Sequence, residues 1–285
     1  MNNTSQRLIL FFVGIPLLIL VLLFLQGWHH IVVSAVIILA TAGASWELAG
    51  LLRAKGFPVN RAVSAVVGAA IPILFWFSTW LHHPILPGRV ALLGTACLLV
   101  LLLSPFAFVK TDAINRLVPE VLGLVFAILY PGILAGYLVN IAAALPASAE
   151  AMITFAALTF GNDSLAWLFG MTLGKRRNLV AASPNKSAAG FVGGLLGSVA
   201  LTFVAALVFP AQLPMNVPVL LSMGFATGAA AIVGDLFESA LKRSAGVKDS
   251  GHIIPGRGGF LDSIDSLLFA APVFFGFCMA FGLFA

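Results

Sequence analysis

The chain has 285 residues, of which 61% are hydrophobic and 9% charged, and its mean hydropathy is +1.09. Soluble domains carry about 25% charged residues, so a soluble domain is excluded and the composition is that of an integral membrane protein. The formal net charge of +5 does not point to nucleic acid, because the basic residues are split among short loops.

A membrane span needs ~20 apolar residues. Nine runs meet this, at 8–26, 31–52, 62–81, 89–109, 117–145, 151–173, 188–209, 217–237 and 264–284. They are continuous rather than alternating, which excludes a β-barrel. The expected fold is therefore all-α, a polytopic membrane protein with nine transmembrane helices. The first run follows Arg7 and has no small-x-small cleavage site before Gln26-Gly27-Trp28, so a retained helix is expected.

With the N-terminus in the cytoplasm, nine spans put Arg7, Arg53, Lys55, Arg61, Lys110, Arg116, Lys175, Arg176, Arg177, Lys186, Lys242, Arg243, Lys248 and Arg257 inside. Only Arg89 is left outside, as the positive-inside rule requires. The expected location is the inner (cytoplasmic) membrane, with the charged loops facing the cytoplasm. Trp28, Trp80 and the pairs His29-His30 and His82-His83 fall at outer edges and read as interfacial residues. Cys97 and Cys278 lie inside apolar spans with no partner spacing, so free buried thiols are expected. The stretch from Gly170 to Gly174-Lys175 is one residue short of a Walker A loop and lacks its Ser/Thr.

Chemistry is divided unevenly. Residues 1–145 supply spans one to five and little else, whereas 146–285 hold spans six to nine with their cytoplasmic loops and form the candidate catalytic region. Glu47, Asp112, Glu120 and Glu150 sit at or near loop edges, where a solvated carboxylate needs no explanation. Six of the ten acids follow residue 160: Asp163, Asp235, Glu238, Asp249, Asp262 and Asp265.

Asp163 lies mid-span in Phe160-Gly161-Asn162-Asp163-Ser164. A carboxylate at that depth is costly and marks a functional candidate; an interhelical hydrogen bond with Asn162 or Ser164 is the structural alternative. The loop Ser183-Pro184-Asn185-Lys186-Ser187 ends where Ser187 can cap span seven, and a helix N-terminus beside Lys186 suits phosphate. Gly190, Gly193, Gly194 and Gly197 are expected to serve close helix packing. Asp235, Glu238 and Lys242 share one helix face. The two acids gain nothing from the dipole at a helix C-terminus, so a divalent cation is the economical partner. Asp262 and Asp265 open span nine, where capping competes with a ligand role, just after Gly256-Arg257-Gly258-Gly259. Asp163, Asp235 and Asp262 are thus expected to ring one or two Mg²⁺, with Lys and Arg contacting phosphates.

Residues 239–265 run from Ser-Ala-Leu-Lys-Arg to Gly-Gly-Phe-Leu-Asp-Ser-Ile-Asp. They resemble the phosphatidate cytidylyltransferase (CDP-diacylglycerol synthase) signature S-x-ϕ-K-R-x4-K-D-x-G-x2-ϕ-P-x-H-G-G-ϕ-x-D-R-ϕ-D, meeting fifteen of its seventeen constrained positions. Asn162-Asp163-Ser164, Gly170, Gly174-Lys175 and residues 183–187 look like that family's second block. The resemblance implies transfer of a cytidylyl group from CTP to phosphatidate, giving CDP-diacylglycerol and pyrophosphate.

It further implies catalytic roles for Asp235, Asp262, Lys242, Lys248 and Asp265, and nucleotide contacts from Ser183, Lys186, Ser187, Arg243 and Asp249. Metal ligation would fall to Asp163, Asp235 and Asp262, and substrate contacts to His252, Arg257, Gly258 and Gly259. The implied partners are Mg²⁺ (one or two, with a monovalent ion as an option), CTP, phosphatidate and the bilayer, without nucleic acid; a homodimer is an open option.

Two positions depart from the signature. Arg257 stands where the family has His, and Ser263 where it has Arg. Either the cation has moved, or the chain is a paralogue with another lipid phosphate as acceptor or with weakened activity. A CTP-dependent lipid kinase would share nucleotide and membrane but release CDP. An ion-coupled transporter fits worse, because it would gather its acids at the midplane and show an internal repeat.

Overall fold

The computed structural model describes residues 27–80, 111–254 and 258–285. The expected spans 8–26 and 89–109, Cys97, the His82-His83 pair and Arg257 lie outside the described residues. Within them the chain is helical, with no strand. The helices are α1 (Gly27–Ala54), α2 (Arg61–Trp80), α3 (Thr111–Ala127), a π-helical segment (Ile128–Ile133), α4 (Leu134–Ala143), α5 (Ser148–Thr172), α6 (Ala188–Val208), α7 (Val217–Ser244) and α8 (Phe260–Phe281).

Six helical stretches are long and apolar enough to cross a membrane: His30–Ala54, Arg61–Thr79, Leu117–Ala143, Ala188–Val208, Val217–Ser244 and Phe260–Phe281. Each matches an expected span. The expected span 151–173 is the 25-residue helix α5, which is not one of the six because Asn162-Asp163-Ser164 interrupts its apolar run. A multi-pass membrane protein follows from these helices.

Local chemistry sets the ends. Asn60 accepts from Ala62 N–H at 2.9 Å and starts α2; Asn216 caps α7 with Pro218 just inside. Ser187 caps α6, its hydroxyl accepting from Gly190 N–H at 3.1 Å, as expected. Gly282, at φ 60, ends α8 in the left-handed conformation.

Helices pack as α1 on α2, α5 on α6, α6 on α7 and α7 on α8. The main core draws on both halves of the chain, from Val33 and Leu48 through Tyr130 and Phe155 to Leu268 and Phe274. Phe155 and Phe274 meet edge to face at 5.3 Å. The glycines of α6 pack against α5: a Cβ at Gly193 would lie 2.5 Å from Phe169, and one at Gly194 would lie 2.8 Å from Asn162 Oδ1. Gly234 does the same between α7 and α8, where a Cβ would lie 2.5 Å from the Asp265 carbonyl oxygen. These approaches set α6 against Asn162 of α5, and α7 against Asp265 of α8.

Candidate active site

α5, α6 and α7 enclose a cavity of about 420 Å³. Asn162 and Asp163 from α5, Lys186, Ser187 and Arg177 from the loop before α6, and Asp235 from α7 give it a polar side. Trp167, Met171, Phe191 and Ile232 give it an apolar one. An amphipathic cavity of this kind suits a molecule with a charged head and an apolar body.

The polar side is charge-paired. Lys186 forms an ion pair with Asp235, and the Ser239 hydroxyl donates to the other Asp235 oxygen at 3.4 Å. Arg177 donates to the Asn185 carbonyl at 3.3 Å, which holds the loop against the cavity. Asn162 is fully buried; its amide donates to Ser198 Oγ at 2.9 Å and to the Gly228 carbonyl at 3.3 Å. It therefore fixes α5 to both α6 and α7 beside Asp163.

A second polar cluster lies where α7 meets α8. Lys242 pairs with Glu238 one turn back, and with Asp262 Oδ1 at 2.5 Å. Asp262 Oδ2 accepts from Ser250 N–H (2.8 Å), Ser250 Oγ–H (2.8 Å) and Gly259 N–H (2.9 Å). Asp262 thus caps α8 and at the same time faces Lys242. Asp265 is buried and accepts from Ser266 N–H at 2.6 Å. The acids of α7 meet lysines, Asp235 with Lys186 and Glu238 with Lys242.

The structure sorts the expected site residues into three groups. Asp163, Lys186, Ser187 and Asp235 line the cavity. Lys242, Asp262 and Asp265 belong to the α7–α8 cluster, and Gly258 and Gly259 lie directly against it. Ser183, Arg243, Lys248, Asp249 and His252 are not among the cavity-lining residues. Lys248, Asp249 and His252 are exposed, and Arg243 donates to the Val247 carbonyl at 3.3 Å. Among the described residues no group of three or more His, Cys, Asp or Glu is arranged to hold a metal ion. Asp163 and Asp235 share the cavity, while Asp262 is not part of its lining.

Glu47 corrects an expectation. Taken as a solvated loop-edge carboxylate, it is in fact 5% exposed. It accepts from Phe260 N–H (3.0 Å), Leu261 N–H (2.9 Å) and Ser250 Oγ–H (3.0 Å). The misreading came from its position near the end of a span; the pairing is with a loop some 200 residues later, which local sequence does not carry. His30, expected at the interface, is likewise buried. Cys278 is the buried free thiol expected.

The model of the cytidylyltransferase family matches residues 5–281. An uncharacterized protein YnbB of Escherichia coli (strain K12) is 41% identical over 121 residues, 42% of this chain and 40% of that protein. A phosphatidate cytidylyltransferase of Thermotoga maritima is 48% identical over 114 residues, 39% of this chain and 42% of that protein. One of Bacillus subtilis (strain 168) is 45% identical over 113 residues, 40% of this chain and 41% of that protein. The matched stretches span about two fifths of the length of these curated relatives.

Proposed function

Because the chain belongs to the cytidylyltransferase family, we propose that it transfers the cytidylyl group of CTP to phosphatidate, giving CDP-diacylglycerol and pyrophosphate. The observation that carries this is the amphipathic cavity, where Lys186, Arg177 and two carboxylates face Trp167, Met171 and Phe191. Relatives that bear the phosphatidate cytidylyltransferase name support the substrate class.

In this reaction a phosphate oxygen of the lipid attacks the α-phosphorus of CTP, and the bond to pyrophosphate breaks. The nucleophile is already an anion, so no general base is required. Two polyanions must approach one another, and the residues divide that task. Lys186 and Arg177 offer cations to the triphosphate, and Ser187, with the first amides of α6, faces the same space. When phosphate arrives, the Lys186 ammonium exchanges Asp235 for it, which frees that carboxylate.

Asp163 and Asp235 fit a divalent cation: two hard oxygen donors face one cavity, and magnesium is commonly held by one or two carboxylates plus substrate phosphates. Mg²⁺ held there would neutralise the developing charge and orient the phosphates for in-line attack. Asp262 would join only by releasing Lys242. The apolar wall formed by Trp167, Met171 and Phe191 would receive the glycerolipid body.

The same proposal carries nine spans, a cytoplasmic N-terminus, an inner-membrane location with the site facing the cytoplasm, residues 146–285 as the catalytic region, and a homodimer. A reporter fused to either end and chemical cross-linking in membranes read these. A second acceptor is favoured by one observation. Ser263, where the family signature has Arg, turns its hydroxyl back onto the Gly259 carbonyl at 2.9 Å and supplies no cation.

The test is incubation of the purified chain in detergent with α-labelled CTP, Mg²⁺ and phosphatidate, beside Asp235→Asn. Labelled lipid lost in the variant supports the proposal. Label transferred only when another lipid phosphate is supplied selects the second acceptor. Lipid phosphate with CDP as products would indicate a kinase, and a protein that binds no CTP would overturn nucleotide chemistry altogether.

A further inference from the structure

Glu47 lies far from the signature in sequence and none of the expected site roles falls on it. We propose that it is a positioning residue that sets Asp262, acting through Ser250; this rests on the reading of the site as a cytidylyl-transfer centre.

Three observations carry it. First, the Glu47 carboxylate is buried and takes the N–H groups of Phe260 and Leu261, the first two free amides of α8. α8 begins on an anion supplied by α1, in the place where its dipole favours one. Second, the surrounding loop is shaped for that carboxylate. A Cβ at Gly251 or at Gly259 would collide with Glu47, so the two glycines leave the room it occupies. Third, Ser250 connects it to the site. The Ser250 hydroxyl is 3.0 Å from Glu47 Oε2 and 2.8 Å from Asp262 Oδ2.

A hydroxyl has one proton, so Ser250 donates to one carboxylate at a time. Its backbone N–H donates to Asp262 Oδ2 at 2.8 Å. Glu47 therefore holds the Ser250 loop where its backbone N–H reaches Asp262 Oδ2. The other oxygen of Asp262 faces Lys242. Displacing Ser250 would turn the Asp262 carboxylate and loosen Lys242 with it. A carboxylate that only capped α8 would have no reason to share Ser250 with the signature aspartate.

The experiment is a double-mutant cycle in the full chain, using Glu47→Gln, Ser250→Ala and the pair, in detergent with α-labelled CTP, phosphatidate and Mg²⁺. Each single change is expected to lower kcat at least about tenfold, the lower end for one hydrogen bond to a charged group, while KM for CTP moves by less than about twofold. The pair is expected to be no worse than the poorer single variant. Full kcat per folded molecule in Glu47→Gln, or losses that multiply in the pair, overturn the proposal.

Hydrogen exchange of residues 258–262 reads the same cycle without catalysis. The Gly259 amide bonds Asp262, not Glu47, so a mere cap at Phe260 and Leu261 would leave it protected in both single variants. Faster exchange at Gly259 in both supports positioning, and unchanged exchange overturns it. If the unaltered chain transfers no label at all, the cytidylyl reading fails by itself, and exchange at Gly259 still decides the role of Glu47.

Discussion

The Lys242 ammonium, on α7, lies 2.5 Å from Asp262 Oδ1, on α8, and the same ammonium pairs with Glu238. The three side chains are 12%, 6% and 0% exposed. One cation is thus divided between two buried carboxylates, and it ties the end of one helix to the beginning of the next. A charge shared in this way is hard to lose, because either acid alone would be stranded.

Lys242→Met should therefore lower stability by about 3–5 kcal/mol, the range for removing one partner of a buried pair. Adding Glu238→Gln should recover part of that loss, since it removes one stranded charge. Thermal unfolding in detergent, followed by tryptophan fluorescence, measures both. A Lys242→Met chain as stable as its parent would show that Lys242 is not what compensates these acids.

Lys186→Ala should weaken CTP binding about 10- to 100-fold, as expected for one hydrogen bond to a charged group. Equilibrium binding of labelled CTP at fixed ionic strength measures it. Unchanged affinity would remove Lys186 from the triphosphate site and leave its bond to Asp235 as its whole role.

Label transfer should fall to background on chelation of divalent ions and return with Mg²⁺. In Asp163→Asn/Asp235→Asn, the Mg²⁺ concentration for half-maximal binding, read by competition against paramagnetic Mn²⁺, should rise at least about tenfold, because each carboxylate is one of few protein ligands. An unshifted curve would place the metal elsewhere.

Gly258→Ala should cost about 1–3 kcal/mol, because φ is 99 there and the new Cβ would lie 2.7 Å from Asp262 Oδ2. Gly276→Ala is the matched control, since its Cβ would meet nothing within 4 Å; its stability should stay within about 0.5 kcal/mol of the parent. Equal losses in both would mean that the Gly258 loop is not shaped around Asp262.

Much of this was legible in the sequence because membrane helices announce themselves by composition. Six of the expected spans recur as long apolar helices, and Ser187 caps α6 where the turn at Pro184 placed it. The signature also names the residues at the α7–α8 junction. What it could not supply was pairing across distance. Asp235 and Lys186 are 49 positions apart, and Glu47 and Leu261 are 214 apart; hydropathy says nothing about which acid meets which base. Glu47 carried one faint signal, a carboxylate inside the apolar stretch Ala44-Ser45-Trp46-Glu47-Leu48-Ala49, which solvation at a span edge explained too readily.

The π-helical segment Ile128–Ile133 accommodates Pro131 and puts Tyr130 in the core, 5.0 Å from Phe237 and 5.8 Å from Phe269. Such a segment carries one residue more than an α-helix would, and one residue of an α-helix turns it by about 100°. α3 and α4 are therefore out of phase, like two lengths of screw joined with an offset thread. Deleting a single residue there would bring the threads back into step, and every side chain beyond it would face a new neighbour. In this helix, sequence length is itself an angle.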